Sequence, residues 1–409
     1  MNKHSARRLT IGATFATGLA VLAAPASATT GYFANGTSVQ SKGMAGAGVA
    51  IGTGVMGMAS NPAMGTRYGN QADACLSFFM PSRSTTLGGF NVQSNNEFFP
   101  VPCGGANFQM NDRSTLGVLM YGNGGMNTEY PINFFGGPAP LGVNLEQLFI
   151  QVNYAYEVSD QVSLGFAPII AAQRFSATGL QPFALMSSNA ALLTNNGDDW
   201  SYGYGFQIGA LIEASETLTF GISYRSRINM QPFGSYAGLF AEAGDFDIPP
   251  TATIGLAYTP ASRSDLTITA EYQRIFYSQV AAIGNTMAAG GPLGAPNGAG
   301  FGWTDMDVFR VGAEWQASPK WTMRAGLSYN TMFTDPSQAT FNALAPATPQ
   351  WHASIGGTMH INDRRELHVA YTHAFDNALA GVLPPPFPPA PISSQMSQHE
   401  FSFGMTWKW

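Results

Sequence analysis

The last ten residues, Glu400 to Trp409, alternate polar and apolar positions without a break. A period of two sets Phe401, Phe403, Met405, Trp407 and Trp409 on one face of a strand, and Glu400, Ser402, Gly404, Thr406 and Lys408 on the other. One face suits lipid and the other a wet interior, as in a strand that closes a membrane barrel. A soluble edge strand can also alternate, but it would hold five large apolar groups in water beside an open edge. The same period recurs upstream. Leu148, Ile150, Val152, Tyr154 and Tyr156 share a face, as do Val162, Leu164, Phe166, Pro168 and Ile170. Tyr202, Tyr204, Phe206, Ile208 and Ala210 follow, then Leu218, Phe220, Ile222 and Tyr224. Later runs centre on Leu256, Ile268, Val311, Met323 and Val369. With weaker runs near 74–84, 98–109, 114–121 and 350–360, the pattern predicts an all-β chain of about 14 antiparallel strands. An even count puts both ends of the barrel on the periplasmic side.

The connections alternate too. Short turns at Ser159-Asp160, Ser215-Glu216, Ala317-Ser318-Pro319 and Asn362-Asp363 trade with long segments near 122–144, 176–199, 230–247, 278–304, 333–349 and 376–397. Short periplasmic turns and long extracellular loops are the pattern of outer-membrane barrels. The N-terminus supplies the route. Lys3, Arg7 and Arg8 precede a mostly apolar stretch, and Ala26-Ser27-Ala28 forms a small-residue cleavage site, so residues 1–28 read as an export signal. A membrane anchor is the weaker alternative, because Thr and Gly dilute the stretch and Pro25 ends it. With no later helical span in the sequence, the exported chain stays in the periplasm or closes into a barrel.

Composition narrows the choice. Only 10% of residues are charged, against about a quarter in ordinary soluble domains, while 12% are aromatic and 47 are Gly. Without Lys3, Arg7 and Arg8, fifteen basic residues face 24 acidic ones, a net charge of −9 that disfavours a nucleic-acid partner. Cys75 and Cys103 lie near the bases of the two arms of the predicted first hairpin. In an oxidising compartment they are disulfide candidates, with two buried free thiols as the alternative. Residues 29–70 break the strand pattern. They are rich in Gly and Ala, with Gly43, Gly46 and Gly48 followed by Asn61-Pro62-Ala63, and carry no phosphate-loop Lys-Ser/Thr. A barrel of fourteen strands, residues 71–409, would leave an open bore unless something filled it, and this small-residue segment is placed to do so.

The order of these elements resembles the FadL-type long-chain fatty-acid transporters of the Gram-negative outer membrane, a family that also includes aromatic-hydrocarbon uptake proteins. The resemblance is carried by Gly31-Tyr32-Phe33, by Gly43-Met44-Ala45-Gly46-Ala47-Gly48 and by Asn61-Pro62-Ala63. Phe99-Pro100-Val101-Pro102, Ile248-Pro249-Pro250-Thr251 and Trp321 to Tyr329 extend it over nearly the whole exported chain. It implies an N-terminal hatch that includes Phe33, Gly43, Gly46, Asn61, Pro62 and Ala63, capture of hydrophobic ligands from outside, and release through an opening in the wall. The partners it implies are a long-chain fatty acid or another hydrophobe, the outer-membrane lipid, and the barrel-assembly machinery acting on the C-terminal strand. No cofactor and no metal is expected.

Several extracellular segments are apolar. Residues 180–193 read as a short helix exposing Phe183, Leu185, Met186, Leu192 and Leu193, and Phe233 and Phe240 stand in a similar stretch. Val382-Leu383-Pro384 to Phe387 adds a stiff apolar arm. These groups either pack the loops on one another or form a greasy capture groove. In the interior, Arg225, Arg227, Glu213, Glu271, Arg310, Glu314 and Arg324 fall at lumen positions. They either pair among themselves or offer Arg225, Arg310 or Arg324 to a ligand carboxylate. An enzyme is not expected. The five His of the exported chain fall in no zinc or nucleophile motif, although the turn at Asn362-Asp363 would set His352 opposite His373. Hydrocarbon uptake and general diffusion are the competing functions.

Overall fold

The computed structural model describes residues 30–385 and 387–409, so the predicted export signal at 1–28 lies outside the described residues. Fourteen long strands form one antiparallel ring. They are β1 (Gln71–Leu87), β2 (Phe99–Asn111), β3 (Ser114–Tyr130), β4 (Leu141–Ser159), β5 (Val162–Thr178), β6 (Asp199–Ser215) and β7 (Leu218–Arg225). They continue with β8 (Thr251–Tyr258), β9 (Leu266–Ile275), β10 (Met306–Ser318), β11 (Trp321–Asn330), β12 (Trp351–Asn362), β13 (Arg365–Val382) and β14 (Pro391–Lys408). Each pairs with its sequence neighbours, and β14 closes on β1 from Gln71↔Lys408 to Leu87↔Ile392. Two short strands, Phe90–Gln93 and Asn229–Met230, lie against β1 and β6.

The alternation is physical. Ile150, Val152, Tyr154 and Tyr156 face outward from β4, while Phe149, Gln151, Asn153 and Ala155 are buried within. Likewise Phe401 and Phe403 face out from β14, and Glu400, Ser402 and Thr406 face in. A closed ring leaves no unpaired edge, which is what lipid requires. The predicted turns are where the chain reverses, but two predicted loops are largely strand. β3 and β4 run to Tyr130 and from Leu141, and β13 and β14 absorb most of 376–397. These extensions carry small polar runs such as Gly122-Asn123-Gly124-Gly125 and Ser393-Ser394-Gln395. Above the bilayer neither face needs grease, so hydropathy stops alternating while the ladder continues.

One register expectation fails by a residue. A bulge between His360 and Asn362 shifts the β12–β13 pairing, so His352 faces Ala374 and His373 faces Ala353. Across the next ladder His373 lies opposite His399. Cys75 and Cys103 are directly opposed on β1 and β2, with Cα atoms 4.9 Å apart, and are joined as a disulfide.

Residues 30–70 lie inside the ring. They contain one short helix, α1 (Val39–Lys42), and two 3-10 turns, Val55–Ala59 and Pro62–Arg67. Ser38 and Ser41 cap α1 reciprocally. A helix of four residues has no stability of its own, so the wall must hold it. Glycines on the strands make that approach close. An added Cβ on Gly43 would lie 3.1 Å from the Gly356 Cα of β12, and one on Gly326 of β11 would lie 2.7 Å from the Met44 Cα. Gly124, Gly165, Gly209, Gly221 and Gly255 meet the same segment from other strands.

Candidate functional site

Polar ties anchor the plug. Asn61 accepts from the Ala63 N–H at 3.1 Å, and its amide donates to the carbonyls of Val49 at 2.9 Å and of Ala210 on β6 at 3.0 Å. Pro62 and Ala63 then sit against Gly165. Gly46, in the left-handed region at φ 91°, turns the chain beside Asn35 and Arg310. The Glu271 carboxylate accepts from the Gly48 and Val49 N–H groups at 2.9 and 2.8 Å. Lys42 was not legible as a functional residue, yet its ammonium is paired with Glu400 of β14 and donates to Ser77 of β1 at 2.8 Å. Both partners of that ion pair are buried. Lys42→Met should therefore cost about 3–5 kcal/mol of plug docking by stranding a buried carboxylate. Proteolytic sensitivity of residues 30–70 reports it, and adding Glu400→Gln should recover much of the loss.

The candidate arginines separate by their partners. Arg310 donates to Glu271 at 2.8 Å and to Gln273 at 3.0 Å. Arg324 donates to Glu314 at 2.7 Å and to Thr358 at 2.6 Å. Glu213 pairs with Arg67 at 2.8 Å, and Arg227 with Asp247 at 3.4 Å. Arg225 is different. It is buried, one Nη donates to Asn123 Oδ1 at 2.6 Å, and its Nε and other Nη have no partner among the described residues. Its guanidinium lies 4.7 Å from the Phe33 ring centroid and 5.3 Å from that of Phe149. It opens on a polar cavity between plug and wall, shared with Asn123, Gln207, Thr253 and Arg310. Two stranded donors on a buried cation favour an incoming anion.

Above the plug is an apolar chamber. The expected helix over 180–193 is instead two 3-10 turns, Gln181–Met186 and Ala190–Leu192, and its side chains divide. Leu185 is fully exposed and Met186 and Leu192 partly so, whereas Phe183 and Leu193 turn inward. The reason is the neighbouring loops, which cover the same apolar groups. Phe183 and Leu193 line the chamber with Phe175, Phe240, Phe301 and Phe341. Phe233 is buried behind it, 5.5 Å from Phe175 between ring centroids. An aromatic chain leads down from there: Phe240 to Phe246 at 4.7 Å, Phe246 to Tyr32 at 6.1 Å and Tyr32 to Phe33 at 4.9 Å, ending under Arg225. Asp245 sits on this loop. Burial first, then the Asp247 and Glu242 carboxylates, push its carboxyl up to about 6 from 3.8. The folded loop thus binds the proton more tightly, and the stability this gives is complete below about pH 4 and lost as pH rises through about 6. Hydrogen exchange over 228–248, corrected for intrinsic rates, should be slower at pH 4 than at pH 7, and Asp245→Asn should flatten the difference.

The wall has a weak place beside β3. The β2–β3 ladder runs from Asn111↔Ser114 only to Cys103↔Tyr121. Beyond it β2 presents Pro100 and Pro102, which have no N–H to donate. The plug takes the vacated edge of β3: Ala34 N–H donates to Asn123 O at 3.0 Å, and Gly125 N–H to Tyr32 O at 2.8 Å. Phe33 itself bridges to Gly124.

A closed barrel of fourteen strands, plugged by its own N-terminal segment beneath an apolar chamber, defines a channel for hydrophobic compounds. A sequence model of the family described as outer membrane protein transport protein (OMPP1/FadL/TodX) matches residues 19–380. The chain belongs to that family, and its fold and family are those of transport channels of the outer membrane. It is 23% identical over 301 residues to the long-chain fatty acid transport protein of Salmonella typhi, covering 64% of this chain and 67% of that one. In structure it is similar to the P. putida toluene transporter TodX, with a TM-score of 0.72 and 15% identity over 92% of this chain and 99% of the other. A Pseudomonas aeruginosa FadL homologue gives a TM-score of 0.71 at 16% identity, over 92% of this chain and 99% of that one.

Proposed function

We propose that this protein, exported by its first 28 residues, takes up long-chain fatty acids. The loops collect the acyl chain in the apolar chamber. Each buried methylene is worth about 0.8 kcal/mol, close to fourfold in affinity, so the chamber favours long chains without dedicated recognition groups. The carboxylate is received by Arg225, whose unpaired donors at the foot of the aromatic chain are the observation that carries this reading. Movement of Thr30 to Ala34 then opens the place where β3 lacks β2, and the ligand leaves sideways into lipid. The named relatives transport fatty acid or toluene, so both substrates are within the family's range.

Uptake of monoaromatic hydrocarbons is the second reading, favoured by the five Phe rings around the chamber. Mass spectrometry of organic extracts from the purified protein, followed by competition with radiolabelled C16 fatty acid and with toluene, separates the two. A co-purified fatty acid that unlabelled C16 displaces supports the first. Displacement by toluene alone would overturn it in favour of the second, and no bound or competing hydrophobe would sink both.

A further inference from the structure

A third cavity lies where β3 loses its β2 neighbour. Phe79 of β1, Phe99 of β2 and Met396 of β14 form its apolar wall, and Gly31 of the plug and Gly125 of β3 close it. One charged side chain, Arg83 near the long-loop end of β1, enters it. Arg83 is 5% exposed and lies 5.4 Å from the Phe99 ring centroid. One Nη donates to the Asn96 carbonyl, while its Nε has no partner among the described residues. The Glu97 carboxylate nearby accepts instead from Gln93 at 2.8 Å. The cavity thus joins a buried, incompletely paired cation to an apolar cleft, the two halves of an amphiphile site.

We infer that this cavity is an exit subsite for the carboxylate of a long-chain acid, distinct from the one at Arg225. The inference rests on the fatty-acid reading. The two arginines flank the same plug segment: Phe33 lies beneath Arg225, and Gly31 lines the Arg83 cavity. A carboxylate leaving Arg225 must otherwise cross apolar surroundings unpaired, which is costly. Held by Arg83 at the outer end of the wall, the acid group stays paired while its chain lies along Phe79, Phe99 and Met396, beside the unladdered stretch of β3. The phosphate of an outer-leaflet lipid has related chemistry, but the burial of Arg83 suits a single slender chain better than a bulky headgroup.

The test uses carboxyl-13C-labelled palmitate and the purified full-length protein in detergent. Wild type should show two bound carboxyl resonances. Arg83→Gln should lose one, Arg225→Gln the other, and Arg83→Lys should keep both, with one shifted. The Arg225-dependent resonance remaining in Arg83→Gln shows that this variant is folded. A wild type with only an Arg225-dependent resonance would overturn the subsite and leave the fatty-acid reading standing. Loss of co-purified lipid phosphorus in Arg83→Gln, with both palmitate resonances intact, would assign the cavity to lipid instead. No bound palmitate resonance in wild type would sink both inferences.

Discussion

Arg225→Gln is expected to lower C16 fatty-acid binding and uptake at least about tenfold and to leave toluene uptake within about twofold. A charge-assisted hydrogen bond contributes roughly 1.5–3 kcal/mol, one to two powers of ten in affinity, and a neutral ring forms none with a guanidinium edge. The paired arginines provide the contrast. Arg310→Gln leaves Glu271, which holds the Gly48 and Val49 N–H groups, without its cation, so it should weaken plug docking and disturb the two substrates alike. Arg324→Gln breaks only a pair within the wall and should spare both. Transport assays with labelled palmitate and toluene in cells carrying each variant would show this split. Equal loss of both substrates in Arg225→Gln would refute its role as a carboxylate receiver.

The second large effect should come from Gly221→Val. Valine suits the strand, so β7 is expected to form, but its Cβ would press on the Val49 carbonyl and lie 2.8 Å from the Ala50 Cα. These are backbone atoms, which cannot rotate away. The plug must therefore shift, and a ring of fourteen strands without its filling is wide enough to carry ions. Conductance in planar bilayers should rise at least about tenfold over wild type, with antibiotic sensitivity of cells rising in parallel. An unchanged conductance would show that the plug yields locally without opening a path.

The barrel was legible because lipid on one side and water on the other impose a period of two, as in Tyr202, Tyr204, Phe206 and Ile208. Short polar turns punctuated it, and the small-residue segment ending at Asn70 announced itself by breaking the period. What stayed hidden is set by contacts between distant residues. Arg225, Arg310 and Arg324 look alike in sequence, and only their partners distinguish them. Phe183 and Leu193 were expected to face outward, because the loops that bury them lie up to about 200 residues further along the chain. Glu400, on the lumen face of the closing strand, was visible, but nothing local pointed to Lys42 as its partner. The gap beside β3 had a sequence signal in Pro100 and Pro102, whose meaning appears only once β2 is seen to have a second neighbour.

The tie from Lys42 to both Ser77 and Glu400 also orders events during biogenesis. Ser77 belongs to the first strand synthesised and Glu400 to the last, and nearby Asp73 and Thr406 repeat the arrangement beneath Met56. This latch therefore straddles the seam and cannot be completed until the two ends of the sheet meet. Until they do, Lys42 can reach only one of its two partners, so the plug's full hold on the wall is a property of the closed ring alone.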